Sequence, residues 1–482
     1  MLMQPRSRRA FLRAAAALGT VPFIAPALAQ QKRKPPARGA YLLRGGYVMT
    51  MDRAAGDIPR GDVHVANGEI VAVGRSLSAP RAKVIDASGM IVLPGLVETH
   101  WHMWNSLLRS MSGDERKFGY FPTSAGLGRH FVPRDMYIGA RLAATEALYS
   151  GITTVHDWCH NPRTPEHAEE DLRALRESGI RARFSYGPAR GIPVTETVNL
   201  ADLQRLKNAW DRYSNEGLIT LGLAWRGVQY AVTSPDGKME FKPIPEEVYR
   251  KEYDAARSLG IPISAHVNIG PKIDYGHVAA LDKLGLLYKD LQLIHMISST
   301  PEEVQMVAKS GAAVSFSPYT ELRIGFGFPN ASQYLDAGVP VGLSVDTTTL
   351  SGDANMFAIM KGIQNVDNAA ANNEFKLTAR RALEMGTILG AKSLGLDDRI
   401  GSLVKGKRAD LIMVNTRRLN LGVFTDAAHL IVEAAQPANV ELVMVDGRIL
   451  KERGAMTAVD VRRVVSEAAA ANAAVRQRAG WW

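Results

Sequence analysis

The chain repeats one hydrophobic pattern. A segment with helical spacing of apolar residues ends in glycine, and a short apolar run follows at once. This happens at Ser150-Gly151 before Ile152, at Ser178-Gly179 before Ile180 and at Leu259-Gly260 before Ile261. It happens again at Ser310-Gly311 before Ala312 and at Ala337-Gly338 before Val339. Glycine suits the left-handed position just past a helix C-terminus. Near-continuous apolar strands are what a parallel sheet covered on both faces demands. Thr300-Pro301-Glu302-Glu303 adds a capping box with proline at the first helical position. Pro133 to Tyr149 carries a weaker helical stripe of Ile138, Leu142 and Leu148, interrupted by Thr145.

The pattern predicts eight strands: Ile91–Thr99, Ile152–Asp157, Ala182–Tyr186, Ile219–Trp225, Pro262–His266, Leu291–Met296, Ala313–Ser317 and Val341–Asp346. Eight parallel strands alternating with helices make an α/β chain, read as a (β/α)8 barrel over residues 94–399. An open, doubly wound sheet is the alternative, because a strand count does not establish closure. Outside this region the period changes. Residues 40–93 and 400–453 hold short strands separated by turns such as Gly45-Gly46, Asn67-Gly68 and Asp446-Gly447. The two flanks are expected to pair into one small composite β-sandwich. Residues 454–482 form a tail whose alanine-rich stretch, 458–476, reads as a helix.

Composition narrows the class. The 482 residues are 46% hydrophobic and 22% charged, the balance of a folded globular protein. No apolar run in the body is long enough for a membrane span, so no stable membrane anchor is expected. The single cysteine, Cys159, excludes an internal disulfide framework and a cysteine-based zinc site. It has no base partner defined by the sequence, so it is not read as a nucleophile. The net charge of +10 is concentrated near the start, at Arg6, Arg8, Arg9, Arg13, Lys32, Arg33, Lys34 and Arg38. The remainder is close to neutral and offers no electrostatic case for nucleic acid.

Residues 7–13 read Ser-Arg-Arg-Ala-Phe-Leu-Arg, an apolar run begins at Ala14, and Ala27-Leu28-Ala29 closes it. This has the layout of an export signal. The paired arginines resemble the bacterial twin-arginine signal. The resemblance implies transient contact with that export machinery, cleavage after Ala29 and a periplasmic product.

Polar residues stand where a barrel keeps its chemistry, at the C-terminal strand ends. The first strand ends in His100-Trp101-His102, and residues i and i+2 of a strand share a side. His266, His295 and Asp346 end the fifth, sixth and eighth strands. Four histidines and an aspartate converging from four strands suit a nitrogen and oxygen metal site. Zinc fits this set first, and iron, manganese or cobalt also fit.

Pro94-Gly95-Leu96-Val97-Glu98-Thr99-His100-Trp101-His102 resembles the first-strand signature of the amidohydrolase superfamily. Gly401-Ser402-Leu403 through Ala409-Asp410-Leu411 resembles its C-terminal signature. The nearest branch holds cytosine deaminase and atrazine chlorohydrolase. The resemblance implies that His100, His102, His266 and Asp346 bind one divalent ion and that His295 meets the reacting water or the substrate. Asp346 is then also the proton acceptor, so His295 and Asp346 are the expected catalytic pair. The branch is often dimeric, which makes a homodimer an expectation. Deaminases of this branch carry a glutamate three residues after the strand-five histidine. Here that position is Ile269, which carries no proton.

This departure favours hydrolysis of an amide, carbamate or related C–N bond over ring deamination. Deamination with a relocated acid and a catalytically silent binding barrel are the alternatives. Glu321 and His160 are the residues considered for the missing acid. Trp104, Trp158, Arg226, Asn268 and Tyr319 complete the expected substrate contacts, suited to a small, flat substrate. Trp101 and Trp225 also lie near strand ends, and Gly325-Phe326-Gly327-Phe328 reads as a loop able to move.

Overall fold

The computed structural model describes residues 35–481 apart from 234–238 and 271–275. The export signal and its cleavage point lie outside the described residues. Eight parallel strands form the barrel: β1 (Leu96–Val97), β2 (Ile152–Cys159), β3 (Arg181–Tyr186), β4 (Ile219–Trp225), β5 (Ile263–Val267), β6 (Leu291–His295), β7 (Ala313–Phe316) and β8 (Val341–Leu343). Each pairs with its sequence neighbour in the barrel order. The backbone beyond β1 meets β8 through bridges Glu98–Leu343 and Trp101–Asp346. Thr99 N–H donates to Leu343 O at 3.0 Å, and Asp346 N–H to His100 O at 2.8 Å. These bonds join the last strand to the first, so the open sheet is excluded.

The expected first strand, Ile91–Thr99, is two strands. Met90–Pro94 belongs to a second sheet, and only Leu96–Val97 belongs to the barrel. Gly95 marks the crossing. A Cβ there would fall 2.0 Å from Thr153 Oγ1, so only glycine lets the two segments pass.

The second sheet has nine strands drawn from both flanks. Leu411–Asn415 pairs antiparallel with Met90–Pro94 and so joins the C-terminal strands to the N-terminal ones. Its own apolar cluster includes Val48, Val63, Val92, Met413 and Met444. Buried Arg181, the first residue of β3, holds Asp410 with Nε–Oδ2 2.6 Å and Nη2–Oδ1 3.0 Å. Ile412 and Val440 pack beside Gly151 at the start of β2. The β-rich unit therefore covers the N-terminal strand ends and leaves the C-terminal ends free.

The C-terminal helix, Val461–Ala479, lies on the helix Pro133–Tyr149. Glu467 pairs with Arg141 at 2.7 Å, and Arg478 pairs with Asp135. No helix among the described residues is long and apolar enough to cross a membrane.

Candidate active site

The C-terminal strand ends gather the expected ligands. One ligand atom each from His100, His102, His266 and Asp346 lies within 4.8 Å of all the others. Asp346 Oδ1 is 3.1 Å from His100 Nε2 and 3.3 Å from His102 Nε2. The ring of His266 sits 4.9 Å from that of His100. His295 flanks the cluster, its ring 5.3 Å from His266. Its Nδ1 faces Glu321 Oε1 at 3.0 Å.

The backbone is bent to achieve this. His295 has φ of +79° and Asp346 of +58°, in the left-handed region that non-glycine residues avoid. Such conformations cost on the order of 1–3 kcal/mol each and gather at functional sites.

Burial holds the histidines neutral. It pushes His100 and His266 well below the ordinary imidazole range, with the neighbouring imidazoles adding to the effect. His102 is held down to about 4 by burial, against the pull of Asp346. Neutral imidazole is the form that ligates metal. His102 Nδ1 donates to Trp158 O at 3.0 Å, which leaves its Nε2 as a bare lone pair. That lone pair faces a carboxylate oxygen, so two acceptors confront each other with no proton to share. A cation among them resolves the repulsion, and three nitrogens with one oxygen suit a divalent ion.

Glu98 lies behind the ligands, fully buried. It accepts backbone N–H bonds from His100 at 2.8 Å, His156 at 3.2 Å and Val345 at 3.2 Å. Burial pushes its carboxyl up to about 8. It ties the first, second and eighth strands together at the ligand level. An acid inside an apolar strand was its only sequence signal. His156 Nδ1 donates to Thr99 O at 2.9 Å and its Nε2 accepts from the Ser185 hydroxyl at 2.8 Å, which occupies both its nitrogens. Cys159 is buried beside Asp171, and burial raises its thiol pKa well above the usual value, as expected of a non-nucleophile.

A cavity of about 320 Å³ opens above the cluster. His102, His266, His295 and Asp346 form its floor, and Trp158, Trp225, Phe121, Tyr230 and Phe326 contribute its walls. Of the expected substrate contacts, Trp158, His160 and Arg226 line it. Four do not. Trp104 is fully buried one layer back and donates to His160. Asn268 turns away and donates to Ser299 Oγ and Glu303 Oε2 at 2.9 and 3.0 Å. Tyr319 is 40% exposed, its hydroxyl on Ala358 O. Glu321 is buried against His295 and Ser317 N. Arg226 is itself committed: its guanidinium pairs with Glu252 at 2.7 Å and bonds the carbonyls of Pro193 and Glu196.

The sequence reading missed several lining residues. Tyr120 and Phe121 come from the short helix Tyr120–Gly128, and Tyr230 and Phe241 from a hairpin after β4. Arg190 lines the cavity with a buried Nε that has no partner among the described residues. Its place in a long loop after β3 gave no periodic signal.

The profile of the amidohydrolase family matches residues 91–450. The chain is 28% identical over 447 residues to the 5'-deoxyadenosine deaminase of Methanosarcina mazei, covering 89% of this chain and 96% of that one. A zinc-bound adenosine deaminase from Xanthomonas campestris superposes with a TM-score of 0.78 at 24% identity, over 92% of this chain and all of that one. Atrazine chlorohydrolase from Arthrobacter aurescens TC1, complexed with zinc, superposes at 0.76 and 24% identity, over 90% of this chain and all of that one. These two share the fold. With its signature matched over about three quarters of its length, the chain belongs to the amidohydrolase family, metal-dependent hydrolases acting on carbon–nitrogen bonds.

Proposed function

We propose that the protein hydrolyses a C–N bond at a carbonyl carbon, in an amide, carbamate or related group of a small, flat substrate. The observation that carries this reading is the set His100, His102, His266 and Asp346 on the floor of an aromatic-walled cavity whose only lining carboxylate, among the described residues, is Asp346. A divalent ion held by these four residues supplies Lewis acidity and makes hydroxide available from water near neutral pH. Zinc is the first expectation, with iron, manganese and cobalt behind it.

Asp346 is placed to take the proton of the attacking water and return it to the leaving nitrogen. Glu321 accepts from His295 Nδ1–H at 3.0 Å, which turns the Nε2 lone pair of His295 toward the cavity as an acceptor for the attacking water or the substrate. Ile269 lines the cavity and transfers nothing. A heteroaromatic ring needs protonation on nitrogen before its amine leaves. A carbonyl does not, and this favours amides and carbamates.

Deamination of a heterocycle is the second reading, favoured by the deaminase activity named for the Methanosarcina relative. The arginine pair Arg8-Arg9 and the apolar run after it support export to the periplasm. The N-terminus of the mature protein, sequenced after expression in a bacterial host, tests that part.

The activity test is a panel of amides, carbamates and aminated heterocycles offered to zinc-loaded enzyme, with products identified by mass spectrometry and ammonia assayed in parallel. Cleavage of amides or carbamates supports the first reading. Ammonia from heterocycles alone replaces it with the second. No turnover and no bound metal would leave a ligand-binding barrel.

A further inference from the structure

Two histidines of the cavity carry opposite tautomers. His295 turns Nδ1 to a carboxylate, so its Nδ1 holds the proton and Nε2 is the basic face toward the cavity. At His160, Trp104 Nε1 approaches Nδ1 at 3.2 Å. An indole N–H only donates, so Nδ1 must be the bare nitrogen and Nε2 must hold the proton. Trp158 O also lies 3.4 Å from His160 Nδ1. That carbonyl is already served by His102 Nδ1 at 3.0 Å, and the shorter Trp104 contact gives the buried indole N–H its one acceptor among the described residues.

Nε2 of His160 makes no hydrogen bond among the described residues, and the ring lines the cavity 4.0 Å from the ring of His102. A neutral N–H thus stands beside the ligand cluster in a cavity where position 269 offers only isoleucine. Trp104 occurs in the 3-10 turn Met103–Leu108 directly after the ligand pair, so one segment supplies two ligands and the clamp on His160.

We propose that His160 is a catalytic residue: its Nε2–H donates a hydrogen bond to the acceptor atom of the substrate beside the scissile bond, without transferring its proton. Trp104 is the positioning residue that fixes the tautomer. The proposal rests on the hydrolytic reading above for its substrate, and on geometry alone for its donor.

The first arm of the test needs no turnover. Histidine-selective 15N labelling and long-range proton–nitrogen spectra assign the protonated nitrogen of His160. Protonation at Nε2 in the wild type, giving way to a tautomer mixture in Trp104→Phe, supports the proposal. A proton on Nδ1, or a mixture already in the wild type, overturns it.

The second arm uses whichever substrate the panel yields. His160→Ala should lower kcat about 100-fold, the scale of losing one preorganised donor. His160→Gln, whose amide N–H can reach the Nε2 position, should recover about tenfold of that. Metal content by elemental analysis should match wild type in both variants. Wild-type kcat in a metal-replete His160→Ala overturns the proposal. If nothing is turned over but the Nε2 proton is found fixed by Trp104, the donor stands and the hydrolytic reading falls.

Discussion

Glu321 Oε1 lies 3.0 Å from His295 Nδ1 and 2.8 Å from the Ser317 backbone nitrogen, so the carboxylate is engaged behind the histidine. It acts on the imidazole and does not reach the cavity. Glu321→Gln should lower kcat about 10–100-fold with metal content unchanged, the usual scale for an orienting partner. Wild-type kcat in the metal-replete variant would refute the coupling.

The four-ligand set predicts about one divalent ion per chain. Elemental analysis of His100→Ala/His102→Ala should find that ion lost. Two ions per wild-type chain would require a bridging ligand beyond the cluster His100, His102, His266 and Asp346.

Arg190 borders the cavity, and its buried Nε has no partner among the described residues. Arg190→Gln should raise KM about tenfold or more for substrates bearing a carboxylate and leave neutral analogues unaffected. Equal effects on both would reduce its role to packing.

Asp410 closes a buried ion pair with Arg181 and accepts the Asp446 backbone N–H at 2.8 Å. Asp410→Ala removes the bidentate partner and leaves the buried guanidinium only the longer contact to Asp446 Oδ1 at 3.8 Å, at a cost of about 3 kcal/mol. Urea denaturation of metal-loaded protein measures it, and a loss below about 1 kcal/mol would contradict the coupling.

Lys451 is buried with its ammonium on Tyr149 O at 2.6 Å, and burial holds its pKa down to about 8. The unfolded chain binds this proton more tightly, with a pKa of about 10.4. The unfolded state therefore carries more protons between those values, and stability should rise with pH across that window. Relative to Lys451→Met, wild type should gain on the order of 1–3 kcal/mol between pH 7.5 and 10.5. A constant difference between the two would exclude the depressed pKa.

The ligand histidines were legible because strand period and strand end decide where a side chain goes. Two residues apart at a strand end means one side, and the cluster of His100, His102, His266 and Asp346 follows. Nearness in sequence to a strand end carries no direction once the chain leaves the strand. Asn268, at φ +49°, and Glu321, inside the turn of helix Pro318–Ile324, point away from the cavity for that reason. Gly95 shows the same limit in the fold: an unbroken apolar run reads as one strand, and only the Thr153 side chain across the way shows that it is two.

The pairing of Met90–Pro94 with Leu411–Asn415 has a consequence for biosynthesis. The earlier strand leaves the ribosome about 320 residues before its partner. At about 5–20 residues per second, its edge waits roughly 15–60 s with its hydrogen-bonding groups unmatched. Val92, which ends up in the core of the small sheet, is exposed for the same interval. Newly made chains thus pass through a window in which a chaperone, or another nascent chain, can claim that edge before its own C-terminal half arrives.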